Sequence, residues 1–218
     1  MNDDEVWAVI DLQRRRTADL LEQLSDEEWR HPSLCQGWTV RDVAAHLTLQ
    51  QLGLGDAMVL AITHPHALGS VNRMIHLSAK SRADRPVDEL IAQIRAMIGS
   101  RRHNIGLTCI ATLTDILVHG KDIAIPLHRD LELPATAAAA AATEVWEQRG
   151  TAKARVFHDV PIGGFRITAT DVPWSVGEGL EIQGPMTAIL LLLTGRPATL
   201  PQLSGAGAES LRRQMLPA

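Results

Sequence analysis

Apolar residues recur at helical spacing through most of the first 150 positions of the 218-residue chain. Val6, Val9, Ile10, Leu20, Leu21 and Leu24 fall near a period of 3.6, with polar positions 13–16 between them. They predict a helix capped by Asp3 or Asp4 and running to about Leu24. A second helix is marked more sharply at its start. Gly37-Trp38 supplies a turn, Thr39 the N-cap, and Asp42, three residues on, an acidic form of the reciprocal capping box. Val40, Val43, Ala44 and Leu47 give that helix an apolar face, and it is predicted to end near Gly53. Helical pieces are expected around 54–62 and 69–81. Pro86 opens a helix carrying Leu90, Ile91, Ile94 and Ile98. Another spans roughly 107–124 and stops ahead of Pro126. The next starts near Pro134, runs through an alanine block to Gln148 and ends at Gly150.

Beyond that point the pattern becomes β-like. Arg155-Val156-Phe157-His158 and Phe165-Arg166-Ile167-Thr168-Ala169-Thr170 flank Gly163-Gly164, which predicts a hairpin. Leu180-Glu181-Ile182 reads as a third short strand. Gly184-Pro185 then opens a helix through 189–193 that ends at Gly195, and a short terminal helix is expected near 209–215. The fold class is therefore mostly α: a helical bundle over residues 1–150 followed by a small α+β domain over 151–218.

Composition narrows the function classes. Hydrophobic residues make up 45% and charged residues 21%, with a formal net charge of -4, so the basic footprint of a nucleic-acid binder is missing. The clusters Arg14-Arg15-Arg16, Arg101-Arg102 and Arg212-Arg213 are short and read as solvated helix faces. The aliphatic run at 189–193 is far below the roughly 18 residues of a membrane span. Two cysteines, Cys35 and Cys109, make no disulfide framework, and Met1-Asn2-Asp3-Asp4-Glu5 is acidic where a signal peptide is basic. These features predict a cytoplasmic protein with reduced thiols, no membrane and no nucleic-acid partner.

Among nine histidines, two stand out. His46 lies mid-helix in the apolar setting Val43-Ala44-Ala45-His46-Leu47. His119 follows Asp115 by four residues, so the two side chains share one face of their helix. A carboxylate and an imidazole directed into a helical interior cost several kcal/mol if unpaired. A divalent cation held by His46, Asp115 and His119 removes that cost and leaves a coordination position open. Zn²⁺ suits the N/N/O set, and Ni²⁺, Fe²⁺ or Mn²⁺ can take the same ligands. Asp122 is placed to orient the imidazole of His119. A plainer reading stands beside this one: Thr112 and Asp115 form a second capping-box pattern, with His119 near a helix C-terminus and His46 a hydrogen-bonded core histidine.

The stretch Ser33-Leu-Cys35-Gln-Gly37-Trp38-Thr39-Val-Arg-Asp42-Val-Ala-Ala-His46-Leu resembles the first motif of the DinB-like, mycothiol-dependent maleylpyruvate isomerase family of actinobacteria. Asp115-Ile-Leu-Val-His119-Gly-Lys-Asp122-Ile is similar to its second motif. Trp174-Ser-Val-Gly177-Glu-Gly179-Leu-Glu-Ile-Gln-Gly184-Pro, followed by Leu190-Leu-Leu-Leu-Thr-Gly195-Arg196, resembles its C-terminal domain. The resemblance implies a DinB-like four-helix bundle whose metal is held by His46, Asp115 and His119, with mycothiol as cosubstrate. The family's pattern has Glu where this chain has Asp115, one methylene shorter, which requires a closer helix or a bridging water.

What the resemblance implies chemically is a thiol S-transferase or isomerase acting on a small electrophilic substrate, as a monomer or homodimer. A thiol of pKa near roughly 8.5 is deprotonated on a dication and attacks an electrophilic carbon. Arg196 is a candidate partner for a carboxylate of thiol or substrate, or else a binder of helix-end carbonyls. Trp38 is expected to staple the start of its helix, Cys35 and Cys109 to be small core thiols, and His64 and His66 to lie in a surface loop. The alternative of another class is a non-catalytic metal-binding or small-molecule-binding protein on the same fold.

Overall fold

The computed structural model describes every residue except 64–68, 152–156, 158–159 and 216–218. His64 and His66 therefore lie outside the described residues. The chain divides into two compact units, Met1–Glu132 and Leu133–Ala218.

The first unit is helical throughout: α1 (Asp3–Leu21), α2 (Asp26–Arg30), α3 (Val40–Leu47), α4 (Leu54–Thr63), α5 (Val71–Arg82), α6 (Val87–Ala96) and α7 (Cys109–Ala124). α1 packs on α6 and α7, and α3 packs on α6 and α7, so these four make the bundle, with α5 laid against α3. Ile10, Leu21, Leu47, Leu90, Ile94, Leu113, Ile116, Leu117 and Ile123 are fully buried between them. Each such side chain contributes about 1.5–3 kcal/mol of transfer free energy.

Local chemistry sets where these helices begin. α1 is capped by Asn2, ahead of the expected Asp3 or Asp4; its side chain accepts from the Glu5 N–H while Glu5 accepts from the Asn2 N–H. α3 starts on the reciprocal Thr39–Asp42 box, as its sequence predicts. α3 stops at Leu47, earlier than expected. The Thr48 hydroxyl donates to the Ala45 carbonyl at 2.7 Å, and the chain turns away through 48–51. α7 is capped by Thr108, whose Oγ1 accepts from the Ala111 N–H at 3.0 Å. Thr112 is consequently inside the helix, its hydroxyl donating to the Thr108 carbonyl. That removes the capping reading of Asp115, which sits mid-helix.

The second unit holds α8 (Ala135–Glu147), β1 (Phe165–Ala169), β2 (Ser175–Gly177), β3 (Leu180–Gly184), α9 (Met186–Leu193), a 3-10 helix (Pro197–Gln202) and α10 (Ala206–Met215). α8 packs on α9 through the buried Ala137, Ala138, Ala141 and Ala142, whose small side chains permit close approach. The alanine helix therefore belongs to the second unit, and the division falls after Glu132 and not at 150. Helical periodicity alone had grouped α8 with the bundle, because a pattern says which face is apolar and not what it packs on.

The sheet has the order β2-β1-β3, with β2 antiparallel and β3 parallel to β1. Most of the expected strand at 155–158 lies outside the described residues, and Phe157 is in a bend. Gly163-Gly164 is a turn leading into β1, whose neighbours are β2 and β3. Gly177 pairs with Arg166 on one side of β1 and Leu180 pairs with Phe165 on the other, so Glu178 and Gly179 alone carry the chain across the end of β1. Gly179 has φ +117°, and a Cβ there would lie 2.0 Å from the Gly164 carbonyl oxygen; only glycine fits. Among the described residues no helix is long and apolar enough to cross a membrane.

Candidate metal centre

α3 and α7 bring together the three residues singled out in the sequence. His46 Nε2 lies 3.1 Å from Asp115 Oδ1, and His119 Nε2 lies 3.4 Å from the same oxygen. All three donor atoms fall within 4.8 Å of one another. The edge of a ligand tetrahedron with bonds of about 2.0–2.1 Å is about 3.3–3.5 Å. Asp115, despite its short side chain, thus reaches both imidazoles directly. The side chains of His46, Asp115 and His119 are 14%, 29% and 15% exposed, so the cluster opens to solvent on one side.

A second layer fixes these groups. Gln50 Nε2 donates to Asp115 Oδ2 at 2.7 Å, leaving Oδ1 to the imidazoles. Gln50 Oε1 in turn accepts from Nε and Nη2 of Arg14 at 3.4 Å each. Arg14 is fully buried, and its Nη1 donates to the carbonyls of Met97 at 2.8 Å and Ser100 at 3.3 Å, just beyond α6. His119 Nδ1 donates to Asp122 Oδ2 at 2.8 Å, as the spacing predicted, which fixes the tautomer and leaves Nε2 facing Asp115. His46 is less well supported: among the described residues its buried Nδ1 has no hydrogen-bond partner.

Charge follows the same geometry. Burial pushes the Asp115 carboxyl up, but the imidazoles of His46 and His119 outweigh it and hold it well below the usual carboxylate range. Burial pushes His119 down, and Asp115, then Asp122 and Cys35, raise it well above the ordinary imidazole value. The cluster is thus built around one positive charge beside Asp115. A proton on His119 supplies it, and a dication on the same donors supplies it as well.

The residues fit a cation: two imidazole nitrogens at 3.1 and 3.4 Å from one carboxylate oxygen, one face open, and an orienting carboxylate behind one imidazole. Residues 10–108 match the family model described as the mycothiol maleylpyruvate isomerase N-terminal domain. The match spans a little under half of the chain; it includes His46 and ends one residue before α7, which carries Asp115 and His119. The fold is similar to a crystal structure of the mycothiol-dependent maleylpyruvate isomerase, with a TM-score of 0.63 and 13% identity, over 95% of this chain and 94% of that one. It is also similar to a histidine-to-alanine mutant of the mycothiol-dependent maleylpyruvate isomerase, with a TM-score of 0.62 and 13% identity over the same shares. No curated protein matches the chain significantly.

Three neighbours of the cluster take places that the sequence reading did not assign to them. The Trp38 ring stacks on His119 at 6.4 Å between centroids and tilts over His46 at 5.5 Å, so it covers the imidazoles in addition to marking the start of α3. Its Nε1 donates to His76 Nδ1 at 2.8 Å. Cys35 Sγ donates to Asp122 Oδ2 at 3.0 Å, which places the thiol beside the centre and outside the apolar core. Gln50 was hidden inside an overlong helix. Arg196 lies in the second unit, buried at 9% exposure, and its Nη1 donates to the Thr194 carbonyl at 2.5 Å, at the end of α9. That contact matches the helix-end role named as the alternative for it.

Proposed function

We propose that this protein is a divalent-metal-dependent thiol S-transferase or isomerase that uses mycothiol, with His46, Asp115 and His119 as the metal ligands. The observation that carries the reading is the shared approach of both imidazole Nε2 atoms to Asp115 Oδ1, on a cluster open to solvent. The domain family of residues 10–108 supports mycothiol as the thiol. Zn²⁺ is the proposed ion, with Ni²⁺, Fe²⁺ or Mn²⁺ able to use the same donors.

A cation held there supplies Lewis acidity that lowers the pKa of a thiol bound at the open position. The chain's own residues do the rest. Gln50 holds Oδ2 so that Asp115 presents a single oxygen, Asp122 keeps the proton of His119 on Nδ1, and Trp38 screens both imidazoles from water. Addition of the thiolate to an activated double bond, rotation about the resulting single bond and elimination of the same thiolate isomerises a substrate; addition followed by protonation of the carbanion from solvent transfers the thiol. Arg196 is left in its position at the end of α9.

The rival reading, a metal-binding protein without turnover, draws on the missing acceptor at His46 Nδ1, since an imidazole so placed is the weaker ligand. One experiment separates them. The protein is loaded with Co²⁺ and titrated with mycothiol: a thiolate-to-cobalt charge-transfer band that appears only on adding thiol supports the enzyme. An unchanged spectrum supports the rival. Equal metal content in wild type and His46→Ala overturns the ligand assignment itself.

A further inference from the structure

His119 presents its two nitrogens to two different clusters. Nε2 faces Asp115 and His46. Nδ1 faces a second group formed with Cys35 and Asp122, and its three donor atoms also lie within 4.8 Å of one another. The edges of that triangle are 3.0 Å from Sγ to Oδ2, 2.8 Å from Nδ1 to Oδ2, and 3.7 Å from Sγ to Nδ1. A tetrahedral ion with a sulfur bond of about 2.3 Å and nitrogen and oxygen bonds of about 2.0–2.1 Å needs edges of about 3.4–3.6 Å. Two edges must open by about half an ångström, roughly what replacing a hydrogen bond by a bridging ion demands.

The group is built before any ion arrives. Asp122 is fully buried. The Leu34 N–H donates to the Asp122 carbonyl at 3.1 Å and ties the loop carrying Cys35 to α7. The Cys35 N–H donates to Ser33 Oγ at 3.1 Å, which sets the direction of the thiol. Cys35 is partly exposed, so a cation and a water ligand can reach Sγ.

We infer that Cys35 Sγ, His119 Nδ1 and Asp122 Oδ2 form a second cation site, selective for a thiophilic divalent ion such as Cd²⁺, that competes with the first site for His119. A thiolate in the donor set favours soft ions, which the N/N/O set of the first site does not. Binding releases the thiol proton and displaces the Nδ1 proton of His119, so the neutral ring carries its proton on Nε2, 3.4 Å from Asp115 Oδ1. An imidazole offers one lone pair, so one ion occupies one site or the other. The assignment does not depend on the first site holding a metal.

The test is a Cd²⁺ titration of the chelator-treated full chain, following the ultraviolet cadmium–thiolate charge-transfer band. Wild type, His46→Ala and Cys109→Ser should each develop the band at one equivalent. Cys35→Ser should lose it while keeping its far-ultraviolet circular dichroism, and Asp122→Asn should weaken binding at least about tenfold. Cd²⁺ should displace Co²⁺ from wild type one for one. A band that survives in Cys35→Ser, or no band in wild type, overturns the site; two ions bound per chain overturn the sharing of His119. Should wild type bind no Co²⁺ yet give the cadmium band, the first site fails and this one stands.

Discussion

Asp115 Oδ2 is held by a neutral amide, and that choice has a measurable consequence. Gln50 gives Asp115 a donor without adding charge, and its own oxygen is held by the buried Arg14. Replacing Gln50 with Leu frees Oδ2 to swing toward the imidazoles and leaves a guanidinium without one acceptor. Cation affinity, measured by competition with a chelating dye, should fall about 10–100-fold. Stability should fall by about 1–3 kcal/mol as the buried donor goes unmet. Unchanged affinity in a folded Gln50→Leu protein would show that Asp115 needs no such support. Asp115, His119 and Asp122 could be read together because spacing along one helix is a local property, and His46 was singled out by its apolar helical setting. Gln50, Cys35 and Trp38 were not legible in that way: each joins the cluster through packing between elements, and none sits at ligand spacing from a histidine.

At the level of elements, the start of α3 shows how much a short motif can determine. Thr39 and Asp42 cap each other, and Lys80 of α5 reaches Asp42 Oδ2 at 2.7 Å, so one carboxylate both begins α3 and docks α5. Burial pushes Asp42 up, but the hydrogen bonds from Lys80 and Thr39 prevail and its pKa is lowered. A depressed carboxyl stabilises the fold above its unfolded pKa of about 3.9, and that contribution is lost as pH falls through the folded value. Asp42→Asn should therefore lower stability by about 1–2 kcal/mol at pH 7, with the gap from wild type closing in acid. Denaturant melts at neutral and acid pH check this, and a gap that does not narrow as the pH is lowered refutes the assignment. Helix starts were read well because caps are chemical. The end of α3 was not, since Thr48 turns the chain by bonding back to Ala45, a choice that helical periodicity does not encode. The short α2 carries a full Ser25–Glu28 capping box and was missed because five residues show no period.

For the whole molecule, all the donors described lie in the unit Met1–Glu132. An ion that binds the native bundle and not the unfolded chain adds RT ln(1 + [ion]/Kd), about 2.7 kcal/mol at a hundredfold excess over Kd. The thermal midpoint should rise with Co²⁺ concentration in wild type and stay flat in His46→Ala; parallel rises would mean that Co²⁺ binds elsewhere. The succession of a helical part and an α+β part was legible in the change from helical to alternating pattern, whereas the place of division was not, because α8 is as helical as the bundle it leaves. His46 and Asp115 stand 69 residues apart, and a segment that contains all three donors must run from His46 to His119. The unfolded chain is for that reason a poor chelator. If His46, Asp115 and His119 hold a cation, a concentration that saturates the native protein would leave the denatured one nearly bare, and the site would be created in the same event that closes α3 against α7.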